Sequence, residues 1–194
     1  MLELDLKTTA LVLIDLQKGI LPVAQVHPAS QLLQHAAALS VRFRAAGAPV
    51  VRVRVGWSAD AGDVLGQAVD QPPAMPPGGL PANWLDFPDD LPTAPTDILI
   101  TKRQWNAFFG TELDLQLRRR GIATLVLAGI ATHVGVEGTA RAGWELGYAL
   151  VFAEDAISAQ HEVQHRFSFE HILPRLGRVH DTATILAALT AGAG

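Results

Sequence analysis

Residues 124–140 read TLVLAGIATHVGVEGTA, an unbroken apolar run that passes through a glycine-punctuated segment into a helix-like stretch. A short apolar run without polar alternation suits a strand buried on both faces, and such strands belong to parallel sheets covered by helices on each side. The same grammar recurs along the chain. Thr9–Ile14 (TALVLI) ends on Asp15, Pro49–Val55 (PVVRVRV) alternates at period two, Asp97–Thr101 (DILIT) runs into Lys102, and Ala149–Ala153 (ALVFA) precedes Glu154 and Asp155. Helices fall between the strands. Ser30–Ala46 carries Leu32, Leu33, Ala36, Leu39, Val41 and Phe43 at roughly helical spacing and closes on Gly47, the residue type that caps helix C-termini. Thr111–Arg120 ends at Gly121 and Val136–Leu146 at Gly147 in the same way. A helix near Glu162–Leu173, a short strand at Arg178–His180 and a helix from Asp181 complete the pattern. The reading is a three-layer α/β, Rossmann-like domain, with residues 1–194 as a single unit.

The composition narrows the function. A net charge of −4 and a pI near 5.9 give no basic footprint for nucleic acid. No apolar run approaches the roughly 20 residues that span a bilayer, and charges interleave with the first apolar residues, unlike a secretory signal. The expected setting is the cytoplasm, without nucleic-acid or membrane partners. There are no cysteines, which excludes disulfides, thiolate metal sites and a cysteine nucleophile.

In open parallel sheets ligands bind beyond the carboxyl ends of the strands. That rule singles out Asp15, Lys102 and the Gly129–Gly135 segment. Asp15 ends an apolar strand, where desolvation raises a carboxyl pKa and a nearby cation lowers it. Such tuning suits a general acid or base, although Asp after a strand also serves as a helix N-cap or turn residue. Lys102 has a similar double reading, because a lysine at a strand end often faces solvent, and Arg103 beside it fits that view. Residues 57–95 break the alternation, being rich in proline, glycine and aspartate. A loop this long is an ordered surface excursion, a lid or a contact surface, and Trp57 and Trp84 suit the latter two. The AGAG tail is expected to fray.

The strings TALVLIDLQ, KRQWNAFFGTELDLQLRRRGI and LVLAGIATHVGVEGTARAGWELGY, in that order and spacing, resemble the isochorismatase-like hydrolases, a family that includes nicotinamidases and N-carbamoyl amide hydrolases. The resemblance covers nearly the whole chain. It implies a six-stranded parallel sheet, a homo-oligomer, and a catalytic Asp, Lys and Cys. The Asp falls on Asp15 and the Lys on Lys102. The Cys falls on Gly135, where members with covalent chemistry read T-x-x-C. It also implies a non-proline cis peptide between Ile130 and Ala131.

Glycine at 135 closes the thiol route. Thr132, Thr139 and Ser58 offer hydroxyls in its place, but no histidine–acid pair to activate them is evident in the sequence. True isochorismatases resemble this chain in carrying glycine there, and they cleave a vinyl ether without a covalent intermediate. Mapped onto this chain, Asp15 is the acid, Lys102 orients it or stabilises substrate carboxylates, and Gly135 leaves room for a bulky ring. Trp57, Trp105, Phe108, Ala131, Thr132 and His133 are candidate substrate-binding residues, with core packing the competing role for Phe108 and a structural hydrogen bond that for His133. Nicotinamidase-type members bind a metal after the second strand. This chain has Asp60 and Asp63 there but no histidine, so neither a metal nor a cofactor is expected. The expectation is a cysteine-independent hydrolase of a small, carboxylated molecule. The alternative is an inactive relative that binds a metabolite or assists assembly, with an isomerase or lyase a weaker third.

Overall fold

The computed structural model describes residues 2–72 and 79–190; the AGAG tail and residues 73–78 of the proline-rich excursion lie outside them. In chain order the regular elements are β1 (Leu4–Asp5), β2 (Thr9–Ile14), α1 (Ala29–Ala45), β3 (Val50–Val55), β4 (Ile98–Lys102), α2 (Leu113–Arg118), β5 (Thr124–Ile130), α3 (Glu137–Glu145), β6 (Ala149–Ser158), α4 (Glu162–Phe167), α5 (Leu173–Leu176), β7 (Arg178–His180), α6 (Thr182–Ala188) and β8 (Leu189–Thr190). β2 to β7 form a six-stranded, all-parallel sheet in the order β4-β3-β2-β5-β6-β7. β1 and β8 make a separate two-residue parallel pair.

Every residue of β2 is buried, as its unbroken apolar sequence demands. One apolar layer packs α1 and α6 on the sheet through Leu32, Phe43, Val126 and Ile185. The other packs α2 and α3 through Leu113, Leu117, Ala140 and Phe152. Gly47, Gly121 and Gly147 follow α1, α2 and α3 with φ of 68°, 67° and 85°, a left-handed conformation that glycine adopts without a Cβ penalty. Asp181 caps α6, its side chain accepting from Thr184 N at 2.7 Å.

Several boundaries differ from the sequence reading. β6 runs five residues past Ala153, to Ser158. The single helix expected over 162–173 is three pieces: α4, a π-helical turn at Ser168–Ile172, and α5 with Pro174 in its first turn. Proline lacks the N–H that a continuous helix would use. The alternation in VVRVRV does not mark one wet face, because Arg52 is fully buried. Leu91 O accepts from its Nη1 at 3.1 Å, and the Phe87 ring lies 4.1 Å from the guanidinium carbon. The segment around Phe87–Pro92, distant in sequence, supplies that cover. Burial pulls the Arg52 pKa down to about 10, against the raising pull of Asp97.

Chain order places the site. From β2 the sheet grows outward through β3 to β4, then returns to the other side of β2 with β5. The reversal beside β2 opens a crevice at the carboxyl ends of the strands, where Asp15, Lys102 and the β5–α3 turn lie.

Candidate active site

Asp15 directly follows β2 and keeps the ladder, its N–H donating to Val53 O at 3.0 Å. Its φ of 53° then takes the chain out of the strand, a left-handed conformation that aspartate tolerates better than most residues. Lys102 is the last residue of β4, two strands away. The two side chains meet: Lys102 Nζ donates to Asp15 Oδ2 at 2.6 Å and to Trp105 O at 2.9 Å. Asp15 is 4% exposed and Lys102 2%, and Asp15 Oδ1 has no partner among the described residues. Burial raises the Asp15 pKa to about 6, against the lowering pull of Lys102. Desolvation wins because both charges are out of water and only one carboxylate oxygen is bonded.

The third corner is the turn between β5 and α3. The Ile130–Ala131 peptide is cis, and Thr132–Val136 form a π-helical turn. Gly135 is buried beside the acid. A Cβ built on it would lie 3.0 Å from each of Asp15 Oδ2, Ile130 O and Ile14 Cγ2. Even a methyl group on residue 135 would therefore be crowded. Glycine leaves a narrow gap against the carboxylate, less than a relaxed methyl contact needs.

Asp15, Lys102 and Gly135 line one cavity of about 310 Å³, together with Trp57, Trp105 and Ala131. Three other candidate binding residues lie elsewhere. Phe108 is in the core, stacked on Tyr148 at 5.7 Å between ring centroids, so the core role holds. Thr132 opens the turn and is fully buried, its Oγ1 2.8 Å from His165 Nδ1. His133 is half-buried between Glu137 and His161, with its Nδ1 unbonded among the described residues. Burial lowers the pKa of His133, and that of His165 to about 4.

Thr132–His165 is a hydroxyl–histidine contact that the sequence hides, since 33 residues separate the partners. It does not make a nucleophile: no carboxylate bonds His165 among the described residues, and the hydroxyl is outside the cavity wall. The other hydroxyls are committed too. Thr139 Oγ1 accepts from Ala107 N at 3.1 Å, and Ser58 Oγ lies 2.6 Å from Asp60 Oδ1.

Sequence reasoning missed much of the wall. Ile20 and Val23 come from the loop after β2, Val64 and Leu65 from the excursion, and Arg103 and Gln104 from the residues after Lys102. Gln17, fully buried, bonds both N–H and C=O of Val55 and the carbonyl of Trp84, tying the first strand end to the second and to the excursion. Its place in TALVLIDLQ, two residues after Asp15, was the available signal. Among the described residues no group of three or more His, Asp or Glu side chains could hold a metal ion, and no helix is long and apolar enough to cross a membrane. A larger depression of about 620 Å³ lies at the opposite ends of the strands, around Gly47, Pro49 and Ile98, and no carboxylate lines it.

The isochorismatase domain matches residues 9–184. The chain belongs to the isochorismatase family. It is 56% identical over 190 residues to the uncharacterized isochorismatase family protein YecD of Escherichia coli O157:H7, covering 97% of this chain and 100% of that one. It is 31% identical over 209 residues to the ureidoacrylate amidohydrolase RutB of Methylorubrum extorquens, covering 96% and 84%. The solved structure of an isochorismatase family protein from Burkholderia thailandensis matches with a TM-score of 0.91 and 40% identity, covering 97% of this chain and 98% of that one. Membership makes this chain a hydrolase, and the six-stranded parallel sheet is the fold it shares with its isochorismatase neighbours.

Proposed function

We propose that this isochorismatase-family protein hydrolyses a small, carboxylated vinyl ether without a covalent intermediate, with Asp15 as the acid. The observation that carries the reading is the Asp15 carboxyl itself. It is buried, pushed up to about 6, held by Lys102 on Oδ2 and unbonded at Oδ1 among the described residues, beside a residue that offers no nucleophile. A carboxyl with a pKa near neutrality can hold a proton for delivery and take one back.

In the proposed reaction, protonated Asp15 gives its proton to the enol carbon, and the carbon–carbon π electrons form the new C–H bond. The ether carbon becomes an oxocarbenium ion, stabilised by the carboxylate left behind. Water adds to that carbon and returns a proton to Asp15. The hydroxyl proton of the resulting hemiketal passes to the ether oxygen as the bond between that oxygen and the former ether carbon breaks, and an alcohol and a carbonyl compound are released. Lys102 fixes the carboxyl and offsets its charge once the proton has gone. Trp57, Trp105 and Ala131 are the proposed walls for the apolar body of the substrate. We include a homo-oligomer in the proposal, supported by the exposed Trp105, Phe109 and Trp144, large apolar surfaces that suit burial against a second copy.

The test is turnover of isochorismate by the protein and by Asp15→Asn. The reading expects turnover in the first and its loss in the second, with unchanged circular dichroism.

A further inference from the structure

Two cations line the cavity, and they are not equivalent. Lys102 is sealed in, with Asp15 and the Trp105 carbonyl on its ammonium. Arg103 stands at the mouth with 44% of its side chain exposed. Its backbone is anchored, because Trp57 Nε1 donates to Arg103 O at 2.9 Å. Its guanidinium is spent only in part: Nε donates to Asp63 Oδ2 at 2.6 Å, while Nη1 and Nη2 have no partner among the described residues. Asp63 does not depend on Arg103 to stay in place, since Ser58 N donates to Asp63 Oδ1 at 2.7 Å. Both partners are substantially exposed, and ion pairs in water are weak and readily exchanged.

We propose that Arg103 is the substrate-carboxylate receptor of this cavity, and that Asp63 occupies part of its guanidinium until a ligand arrives. The ligand class that fits is a small carboxylate with a largely apolar, ring-sized body. A planar guanidinium with two free terminal nitrogens matches a carboxylate in bidentate fashion. The remaining wall is mostly apolar, with Ile20, Val23, Val134 and the two tryptophans facing the same space. The carboxylate rests on Arg103 and the apolar body extends toward Asp15. This assignment deepens the vinyl ether reading and rests on it for the choice of cavity. It also separates the anion-binding group from Lys102, which stays committed to the acid.

The experiment is a titration of tryptophan fluorescence, with Trp57 and Trp105 in the cavity wall as reporters, using benzoate and its neutral counterpart benzamide. The parent protein is expected to bind benzoate about tenfold tighter or more, as a charge-assisted pair allows. Arg103→Gln is expected to erase that preference while benzamide binding stays the same. Asp63→Asn, which releases the guanidinium, is expected to tighten benzoate several-fold and leave benzamide unchanged. If benzoate fails to bind at millimolar concentration, binds no better than benzamide, or keeps its preference in Arg103→Gln, the assignment is wrong. Only binding is read. An inactive protein that still selects benzoate through Arg103 would sink the catalytic reading alone, and an active one indifferent to Arg103 would sink this one alone.

Discussion

Lys102 Nζ lies 2.6 Å from Asp15 Oδ2, and both side chains are buried at the carboxyl ends of strands two apart in the sheet. The opposite oxygen of Asp15 has no partner among the described residues. The pair thus joins a fixed charge to a free acid oxygen, and each prediction about activity depends on that asymmetry.

Asp15→Asn keeps the shape but removes the transferable proton. Turnover should fall by about 10²–10⁴-fold, the usual contribution of a general acid, with an unchanged circular dichroism spectrum. Steady-state kinetics and the spectrum on the same sample decide it.

In the proposed reaction the acid form of Asp15 is the working form, and its pKa is about 6. The fraction protonated is high below that value and falls about tenfold per unit above it. A profile of kcat/KM against pH should therefore decline as pH rises through about 6. A profile that instead rises through that range would assign Asp15 to the base role.

Gly135→Ala adds a Cβ 3.0 Å from Asp15 Oδ2, Ile130 O and Ile14 Cγ2, and two of these neighbours are main chain or a stiff β-branched side chain. Overpacking of this kind costs about 1–3 kcal/mol. Tm should drop by a few degrees, and turnover should also fall, because the crowded group is the proposed acid.

His165 is buried, and burial holds its pKa near 4 instead of 6.5. The unfolded chain takes up this proton first as pH falls, so stability is lost between about 6.5 and 4. Asp15 acts oppositely: with its folded pKa raised, the native state gains a proton before the unfolded one, and stability rises over much the same window. Comparing Tm across that range for the parent and His165→Asn isolates the histidine. The variant should lose less stability on acidification.

Arg52 is fully buried, with Nε and Nη2 unbonded among the described residues. A buried charge that hydrogen-bonds only carbonyls is expensive, and an apolar residue of similar length often replaces one at no loss. Arg52→Met should leave the urea midpoint unchanged or higher, despite losing the contact with Phe87.

The pair at the centre of the site was legible because the fold rule needs only strand ends. Asp15 and Lys102 each follow an apolar run, and parallel strands bring such ends to one edge. Trp105 and Phe108 show the limit: they lie three apart after Lys102, yet one lines the cavity and the other packs on Tyr148. Spacing in a loop does not say which way each residue faces. Arg52 was illegible for a related reason, since its cover comes from Phe87–Pro92. The broken helix after residue 162 carried a local mark, Pro174, whereas the π-helical turns carried none. Arg103 looked like an ordinary solvent-facing cation until its partner, Asp63 in the excursion, and the cavity beside it were both in view.

The central claim is that Asp15 delivers a proton to an enol carbon without covalent help. Its most direct measurement is hydrolysis of isochorismate in deuterium oxide, followed by proton NMR of the released keto acid, for the parent protein and Asp15→Asn. The account predicts turnover by the parent with one solvent-derived deuteron in the new methyl group, and none above background by the variant. A parent no faster than Asp15→Asn would contradict it.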